Sequence, residues 1–274
     1  MNNIISVDGN KCLKDGLCVA ECPLNLLEQD KDGYPVPVKN ADKGCIDCGH
    51  CVAVCPSGAL DQRKMASAAC VLLQEELAIR AEQVEQYMCA RRSIRRYLQK
   101  PVEEKKIKRL LKVAGYAPSG HNSQPTKWIV ITDSNEVYRL AGLVAEWIRW
   151  VIEHQPEFAA MMHMDKIVAA WNDGQDRILR NAPHLLIAYA PKNDRTAQAA
   201  IVSSITYLEL FAPGLGLGTC WAGFFYVACQ TFKPLQKAIA LPEGHVVHGS
   251  VMLGYTKAEY YRIPARKDVD VIWR

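Results

Sequence analysis

The feature that most constrains this chain is a run of four closely spaced cysteines near its N-terminus. The run reads Cys45-x2-Cys48-x2-Cys51-x3-Cys55 and is followed by Pro56. A compact loop with a Cys at every third position directs three thiolates at three corners of one cubane iron–sulfur cluster, whereas the fourth thiolate points elsewhere. The proline ends the run because it cannot continue a hydrogen-bond ladder. We therefore expect an electron-transfer protein with a second ligand run.

A second run of the same spacing lies upstream, but it has an aspartate at one ligand position. It contains Cys12, Asp15, Cys18 and Cys22, and Pro23 follows directly. In total, seven of the eleven cysteines fall within the first 55 residues. The two runs resemble two-cluster bacterial-type ferredoxins, including members with Asp at this corner. The resemblance covers the region from Ile4 to Leu60.

The ferredoxin resemblance implies that two iron–sulfur clusters take their ligands crosswise from the two runs. One 4Fe-4S cluster would be bound by Cys22, Cys45, Cys48 and Cys51, and the other cluster by Cys12, Asp15, Cys18 and Cys55. Two alternatives remain for the Asp15 corner of the second cluster. Either Asp15 ligates one iron through a hard carboxylate oxygen, or this corner is labile and leaves a 3Fe-4S cluster.

Two other uses of clustered cysteines fit this chain less well. Disulfide frameworks suit secreted chains, but the first residues contain neither the basic segment nor the apolar segment of a signal peptide. Zinc ribbons use two cysteine pairs with longer separations rather than four cysteines at this spacing. We therefore expect a cytoplasmic iron–sulfur protein, and an anaerobic one because exposed clusters are vulnerable to oxygen.

Charge and hydropathy exclude two further classes of function. Residues 1–60 carry five Lys and eight Asp or Glu, a net charge of −3, so the other residues carry +7 to reach the overall +4. Those basic residues are scattered and match no nucleic-acid-binding motif, so we expect no nucleic-acid partner. No apolar run reaches the roughly 18 residues that cross a bilayer, so we expect no membrane segment. An anionic cofactor explains part of the positive charge.

The composition changes after residue 60 and divides the chain into three parts. Residues 1–60 form the predicted iron–sulfur domain, and residues 61–88, which lack Gly and Pro, predict a helical connector. Residues 89–274 alternate helical and strand patterns, which predicts an α+β domain. Helices are expected over 103–117, 136–153, 156–179 and 196–211, and strands over 127–132, 184–189 and 245–255.

Three further motifs follow one another in the last part of the chain. The first is Arg91-Arg92-Ser93-Ile94-Arg95, whose guanidinium groups and hydroxyl can grip a phosphate by charge-assisted hydrogen bonds. The others are Pro118-Ser-Gly-His-Asn122-Ser-Gln124-Pro125 and Gly214-Leu-Gly216-Leu-Gly218-Thr-Cys220-Trp221-Ala222-Gly223. In this order they resemble the FMN-dependent nitroreductase family from Tyr87 to Arg274. The resemblance implies a nitroreductase-like α+β domain with a central mixed sheet.

The nitroreductase resemblance also implies which residues hold FMN. Arg91, Arg92 and Ser93 would hold the phosphate and the ribityl chain, and Arg95 would lie near the pyrimidine end of the flavin. The amides of Asn122 and Gln124 would pair with the polar edge or the ribityl hydroxyls. Backbone N–H groups would reach the redox-active nitrogen from Cys220, Trp221, Ala222 and Gly223, above all from the last two. A basic residue of the C-terminal segment, Arg266 or else Lys267, would close on the phosphate.

Together the two resemblances predict an iron–sulfur flavoprotein oxidoreductase. Electrons would pass from a low-potential donor through the clusters to FMN and on to an organic acceptor such as a nitroaromatic, a quinone or an activated alkene. The donor is either another ferredoxin or NAD(P)H, and the family implies a homodimer with FMN at the subunit interface. No residue is identified as catalytic. The alternative is a redox-sensing or electron-relay protein without an organic substrate of its own.

Overall fold

The computed structural model describes residues 3–274, which divide into two compact units. The first unit comprises the residues up to Ala78 together with His121–Ser123, and the second comprises Ile79–Gly120 and Gln124–Arg274. The division thus falls inside the expected connector, and a short segment of the expected flavin domain belongs to the first unit. No helix within residues 3–274 is long and apolar enough to cross a membrane.

The first unit is built from two short antiparallel strand pairs and three helices of a single turn. Strand β1 (Ile5–Val7) pairs with β4 (Leu60–Gln62), and β2 (Leu27–Gln29) pairs with β3 (Pro35–Pro37). The helices are α1 (Leu17–Ala20), α2 (Ala41–Gly44) and α3 (His50–Ala53). Because β1 and β4 lie at the two ends of the cysteine-bearing region, their pairing closes it around one small apolar core.

The connector is helical only near its end. Helix α4 spans Ala81–Ala90, whereas the residues before it contain two 3₁₀ turns, Ser67–Ala69 and Glu75–Leu77. The helix predicted from residue 61 onward is therefore wrong over most of this segment. The reason is the lack of a packing surface: Leu72 and Leu73 are 86% and 100% exposed, and a short helix without tertiary contacts is marginal in water.

The second unit is organised around a four-stranded sheet. Its strands are β5 (Lys127–Ile131), β6 (His184–Pro191), β7 (Leu217–Trp221) and β8 (His245–Tyr255), in the spatial order β5-β6-β8-β7. All three pairings are antiparallel. The α+β class is therefore confirmed, but the expected mixed arrangement of the strands is wrong.

The path of the chain makes each neighbouring pair of strands antiparallel. Between β5 and β6 the chain runs out along α6 (Ser134–His154) and returns through α7 (Pro156–Met161) and α8 (Met164–Asn172). Strand β6 therefore starts where β5 ends. A single helix, α9 (Ala197–Phe211), links β6 to β7 and leaves these two strands parallel, but β8 lies between them.

Helices cover both faces of this sheet. Leu185 and Ile187 of β6 pack on one face with α6, whereas Leu186 and Ala188 pack on the other face with α9. The remaining helices are α5 (Glu104–Ala114), α10 (Gly223–Thr231) and α11 (Lys233–Ile239). Because alternate residues of a strand point to opposite faces, a strand buried on both sides is apolar throughout. This explains the continuous apolar run of β6.

The helix expected over residues 156–179 is interrupted. Helix α7 ends at Met161, His163 adopts a left-handed conformation (φ 50°), and α8 ends at Asn172. Beyond it, the buried carboxylate of Asp176 accepts hydrogen bonds from three backbone N–H groups of the same segment, at 2.8 Å each. These bonds replace helical ones, since a carboxylate that satisfies backbone donors competes with helix formation.

Candidate iron–sulfur and flavin sites

The eight ligand positions expected from the sequence line two separate cavities in the first unit. The Cys22 cavity is lined by Cys22, Cys45, Cys48 and Cys51, and the Asp15 cavity is lined by Cys12, Asp15, Cys18 and Cys55. Each cavity therefore takes three ligand positions from one run and one from the other. These are the same two sets that the ferredoxin resemblance implies.

A left-handed glycine lets each run fold around its cavity. Gly16 (φ 73°) follows Asp15 and precedes α1, and Gly49 (φ 75°) follows Cys48 and precedes α3. Residues with a Cβ rarely adopt this conformation. The glycines therefore allow the tight turn between the second and the third ligand position of each run.

The last cysteine of each run accepts a backbone hydrogen bond from four residues further along. Leu26 N–H donates to Cys22 Sγ and Ala59 N–H donates to Cys55 Sγ, both at 3.3 Å. At Cys55, burial raises the pKa of the thiol, but hydrogen bonds from Ser57 and from the Ala59 N–H outweigh it and leave the pKa below its ordinary value. Hydrogen bonds of this kind favour the thiolate form, which is the form that ligates metal.

Burial makes the thiols at two other expected ligand positions weaker acids. It raises the pKa of Cys51 to about 11, and the neighbouring thiol of Cys48 adds to the shift. Burial also raises the pKa of the Cys18 thiol, and electrostatic repulsion from Cys55 and Asp15 adds to that shift. Because metals bind the deprotonated thiolate, ligation at these positions releases protons that the free cysteines hold at neutral pH.

The donor chemistry of both cavities fits iron–sulfur clusters. The Cys22 cavity offers four cysteine sulfurs, and soft thiolates are the usual ligands of such clusters. The Asp15 cavity offers three cysteine sulfurs and the Asp15 carboxylate, one oxygen of which accepts the Leu17 N–H at 3.1 Å. Among residues 3–274, no three Cys, His, Asp or Glu side chains are grouped so that they could hold a single metal ion.

The loop from Cys45 to Cys48 (the ligand loop) is held by an ionic network. Asp47, in a left-handed conformation (φ 53°), pairs with Arg63 at 2.8 Å and with Lys64 at 2.7 Å. Hydrogen bonds from Arg63 and Lys64 hold the pKa of Asp47 well below its usual range. Arg63 Nη2 also donates to the carbonyl oxygen of Cys45 at 3.1 Å. The ligand loop is therefore fixed by basic side chains that lie outside both cysteine runs.

A second contact to the ligand loop comes from Asn122. Its Nδ2 donates to the carbonyl oxygen of Asp47 at 3.0 Å and to that of Ile46 at 3.3 Å. Asn122 lies in the segment His121–Ser123, which belongs to the first unit. The amide nitrogen that was expected to pair with FMN is thus engaged within the iron–sulfur unit.

The Arg91–Arg95 run lies alongside β7 in the second unit. Ile94 N–H donates to the carbonyl oxygen of Thr219 at 2.8 Å. The approach is so close that a Cβ at Gly218 would lie 2.5 Å from the Ile94 side chain. Only glycine fits at a position where two segments meet this tightly. Gly218 therefore allows the run to be anchored on the sheet.

Arg91 and Arg92 line a cavity of about 430 Å³ beside β7. This volume lies within the roughly 300–1,000 Å³ that is usual for small-molecule and cofactor sites. Gly218 and Thr219 form part of the wall, and residues 258–261 of the C-terminal segment form another part. The cavity thus combines two members of the cationic run with the edge of the sheet.

Glu209 is a buried acid in the wall of the same cavity, and no sequence motif marks it. Its carboxylate lies 3.8 Å from the Arg91 guanidinium and accepts a hydrogen bond from the Thr219 hydroxyl at 3.2 Å. Burial raises its pKa, and Arg91 opposes the rise. One signal could have revealed it: Glu209 is the single charged residue of α9, and buried charges are rare without a partner.

Ser93 and Arg95 face the buried thiol of Cys220. Burial raises the pKa of this thiol, while Arg95 and a hydrogen bond with Ser93 oppose the rise. Arg180, which no motif marks, adds a second cation near Arg95. Burial and the charge of Arg95 lower the pKa of Arg180. Two neighbouring cations of this kind favour an anionic or polar group between them.

The other expected flavin contacts from loops have different surroundings. Gln124 lines a separate cavity with Ser119, whose hydroxyl accepts the Gln124 N–H at 3.0 Å. Ala222 N–H donates to the carbonyl oxygen of Ser250 at 2.8 Å, so it is committed to the protein. Gly223 begins α10, and the first N–H groups of a helix have no partner within it. Of these two backbone donors, only Gly223 remains suited to a flavin.

The expected C-terminal phosphate ligands do not line the cavity. Arg266 and Lys267 are exposed in a segment, 257–274, that contains no helix or strand. Residues 258–261 of this segment contribute to the cavity wall instead. The partly buried side chain of Trp221 packs into the apolar cluster that includes α5 and α9, so its side chain has a structural role.

Two regions of the chain match known protein families. Residues 88–255 match the family described as Nitroreductase family, and residues 10–60 match the one described as 4Fe-4S dicluster domain. The first match covers more than half of the chain. The chain therefore belongs to the nitroreductase family and carries a 4Fe-4S dicluster domain ahead of the family domain.

Individual relatives resemble the chain over about two thirds of its length. An Archaeoglobus fulgidus protein, provisionally named NADH dehydrogenase/NAD(P)H nitroreductase, is 30% identical over 192 residues, which are 67% of this chain and 92% of that protein. The NADH dehydrogenase of Thermus thermophilus is 29% identical over 198 residues, with the same coverage. A solved nitroreductase with bound FMN from Bacteroides fragilis has the same fold, with a TM-score of 0.58 and 20% identity over 70% of this chain and 99% of that one.

These matches confirm the two resemblances drawn from the cysteine runs and from the Arg91–Gly223 motifs. They also confirm the predicted class of enzyme, because the chain is an oxidoreductase of the nitroreductase type with an iron–sulfur domain. The matches agree with the α+β fold of the second unit.

The raised pKa of Glu209 predicts a pH-dependent stability. The folded carboxyl group holds its proton more tightly than the ordinary value of 4.5 implies. Stability therefore falls as the pH rises from that value through the higher folded pKa, because the folded state binds more protons than the unfolded state in this window. Glu209→Gln removes the ionisation. We expect the thermal midpoint of the native protein to fall relative to that of the variant as the pH rises above 4.5.

Thermal unfolding followed by circular dichroism at several pH values measures this difference. Glu85→Gln, at an exposed position of α4, is the matched control and should reproduce the native pH profile. A difference between the native protein and Glu209→Gln that stays constant over the whole range would contradict the raised pKa.

Proposed function

We propose that this chain is an iron–sulfur flavoprotein oxidoreductase that transfers electrons from a low-potential donor, through two iron–sulfur clusters and FMN, to an organic acceptor. The observation that carries the proposal is the presence, in one chain, of two ligand cavities lined crosswise and a nitroreductase-family domain. Reduction of a small molecule by the family domain alone would not require a dicluster domain on the same chain. The covalent fusion therefore supports a shared electron path.

The two kinds of cofactor supply complementary chemistry. Iron–sulfur clusters carry electrons one at a time, whereas FMN accepts electrons singly and releases two together. Reduction of a quinone or an activated alkene takes two electrons and two protons. One electron would come from each of two one-electron donor molecules, which become oxidised, and both protons would come from water.

We propose that FMN binds in the cavity beside β7. Arg91 and Arg92 would hold its phosphate by charge-assisted hydrogen bonds, and Ser93 would hold the ribityl chain. Arg95 would stabilise negative charge at the pyrimidine end of the reduced ring. The N–H of Gly223 would donate to the redox-active nitrogen. The FMN found in the Bacteroides fragilis structure supports a flavin in this fold.

The other residues expected to contact FMN differ in whether they can reach it. Asn122 and Ala222 are left out, because their N–H groups donate to protein carbonyls. Gln124 lines a separate cavity, so it would reach the polar edge of the flavin only if the ring extends beyond the cavity beside β7. Arg266, or else Lys267, would close on the phosphate only if the segment after residue 261 folds back toward the cavity.

The electron donor that we favour is a ferredoxin-type protein. The names of the Archaeoglobus fulgidus and Thermus thermophilus relatives support NADH or NAD(P)H as an alternative. Direct hydride transfer to FMN would, however, leave the dicluster domain without a role in the reaction. For the acceptor we propose a nitroaromatic, a quinone or an activated alkene, and the nitroreductase in the name of the first relative supports the nitro compound.

For the Asp15 cavity we propose a four-iron cluster with Asp15 as an oxygen ligand. The carboxylate lines the cavity beside Cys12, Cys18 and Cys55, and the Leu17 N–H fixes one of its oxygens. A hard carboxylate is a weaker ligand than a thiolate for this type of cluster. A three-iron cluster at this site is therefore the alternative outcome.

We further propose a homodimer with FMN at the subunit interface. The support comes from the segment 257–274, which forms no helix or strand and leaves large apolar side chains exposed. Val269, Ile272 and Trp273 are 82%, 82% and 90% exposed. Exposed apolar side chains in such number are typical of a surface that packs against another chain.

Arg91→Ala tests the proposed flavin site. The loss of a charge-assisted hydrogen bond, worth about 1.5–3 kcal/mol, should weaken FMN binding roughly 10- to 100-fold. Fluorescence titration of the flavin-free protein with FMN measures the dissociation constant. Arg96→Ala removes an exposed guanidinium just beyond the run and should leave the affinity unchanged. Equal affinities of Arg91→Ala and the native protein would rule out the phosphate role of Arg91.

Cys48→Ala distinguishes electron entry through the clusters from direct entry at FMN. The change removes one ligand of the Cys22 cavity, so reduction of FMN by a reduced two-cluster ferredoxin should be lost. Any direct reduction by NADH should continue at its native rate, because it does not depend on that cavity. Anaerobic stopped-flow absorbance of the flavin measures both rates.

Cys70→Ala is the matched control for this experiment. Cys70 is an exposed cysteine that lines neither ligand cavity, so this variant should retain both rates. Native rates of ferredoxin-driven reduction in Cys48→Ala would contradict the proposed path. Reversible cluster conversion with no turnover of any organic acceptor would instead support the redox-sensing alternative.

A further inference from the structure

Three consecutive carbonyl groups of the ligand loop accept hydrogen bonds from side chains outside the loop. Arg63 Nη2 donates to the carbonyl oxygen of Cys45 at 3.1 Å, and Asn122 Nδ2 donates to those of Ile46 and Asp47 at 3.3 and 3.0 Å. Every peptide group between Cys45 and Cys48 is therefore held on its carbonyl side.

The hydrogen bonds that fix these three carbonyl groups also determine where the N–H groups of the same peptides point. In a planar trans peptide the N–H points opposite to the C=O, so the N–H groups of Ile46, Asp47 and Cys48 point away from Arg63 and Asn122. In the part of the chain that the structure describes, none of these three N–H groups donates to a protein acceptor. Successive N–H groups of this kind form a concave site for an anion, as at many iron–sulfur centres.

The corresponding loop of the Asp15 cavity, from Cys12 to Asp15, accepts fewer hydrogen bonds from side chains. Between Cys12 and Asp15, one carbonyl oxygen, that of Lys14, accepts a side-chain hydrogen bond within residues 3–274, from Gln29 Nε2 at 3.3 Å. Gln29 shares this group with the carbonyl oxygen of Gly33. The two cavities thus have similar ligands but differ in how firmly their loops are fixed.

The backbone around Asn122 is strained. This conformation places the Asn122 side chain against the ligand loop. His121, Asn122 and Gln124 all have positive φ values, of 52°, 53° and 45°. Residues other than glycine rarely adopt this conformation because it is energetically unfavourable for them, although asparagine tolerates it better than most. A strained segment that delivers two hydrogen bonds to a ligand loop points to a role at the cluster.

We propose that Asn122 is a positioning residue for the iron–sulfur cluster in the Cys22 cavity and raises its reduction potential. Asn122 holds the Ile46 and Asp47 carbonyls on its own side, so the N–H groups of Asp47 and Cys48 would be free to donate to the sulfurs of a bound cluster. Hydrogen bonds to the sulfurs stabilise the more negative, reduced cluster. Donation to a carbonyl also polarises its peptide group and strengthens the N–H on the other side.

The consequence is a functional difference between the two clusters. The cluster in the Cys22 cavity becomes the better electron acceptor, and an electron that enters at the cluster in the Asp15 cavity moves toward it. The inference rests on the two clusters of the proposed function, but on neither the identity of the donor nor that of the acceptor.

Asn122→Ala tests this role in the full-length protein with its cofactors. We expect the equilibrium constant for reduction of one cluster to fall about tenfold, equivalent to about 59 mV for a one-electron couple. A redox titration followed by electron paramagnetic resonance measures both cluster potentials. Asp15→Cys assigns the signals, because it changes a ligand of one cluster only. The signal that shifts in Asn122→Ala should be the one that Asp15→Cys leaves unchanged.

Gln29→Ala is the matched control, because Gln29 holds the corresponding loop of the other cavity. It should leave the potential of the cluster in the Cys22 cavity unchanged. Unchanged potentials in Asn122→Ala, equal shifts of both clusters, or a shift confined to the cluster in the Asp15 cavity would each overturn the proposal.

Asn122→Ala could lose iron, and its cluster potentials could then not be measured. A second variant and a direct spectroscopic measurement keep the proposal testable in that event. Asn122→Asp keeps the size of the side chain but replaces its N–H donors with a carboxylate. After exchange into D₂O, hyperfine couplings from deuterons at the cluster sulfurs should weaken in this variant, and native couplings would overturn the proposal. Iron, sulfide and FMN contents, measured on the same samples, separate these outcomes from a failure of the proposed function.

Discussion

The convergence of two interleaved ligand runs on two cavities is the constraint on which the first unit depends. Its strands are three residues long and its apolar core is small, so apolar burial alone provides little stability for a region of this size. Each cavity takes its fourth expected ligand position from the opposite run, so ligation of the proposed clusters would connect the two halves of the unit twice. The free energy of cluster binding would then also contribute to the free energy of folding.

The second unit is stabilised in a different way. Its sheet is buried between helices on both faces, which gives a rigid edge for the Arg91–Arg95 run. Contact between Ile94 and Gly218 anchors that run on β7, and the buried acid Glu209 offsets part of its positive charge. A cofactor that binds here meets a largely preformed cavity, so little binding free energy is spent on ordering the protein.

The sequence predicted the features that depend on local spacing. The crosswise grouping that the cysteine runs predict matches the lining of the two cavities, and β8 has the predicted bounds of 245–255. Prediction failed where contacts between residues far apart in sequence determine the structure. The connector, for example, has no surface to pack against, so most of it does not form the predicted helix. Asn122 bonds Ile46, 76 residues away, and the Ala222 N–H bonds Ser250, 28 residues away. Neither partner could be inferred from the motif that contains the donor, because the fold brings the pair together.

The cofactor content of the anaerobically purified chain is the most direct test of the central claim that one chain holds two clusters and a flavin. Iron, acid-labile sulfide and FMN would be quantified per chain, with electron paramagnetic resonance spectra recorded before and after reduction. We predict one FMN and two clusters, with about eight iron atoms when Asp15 is a ligand. A chain that binds a single cluster, or that binds clusters without flavin, would contradict the proposed electron path.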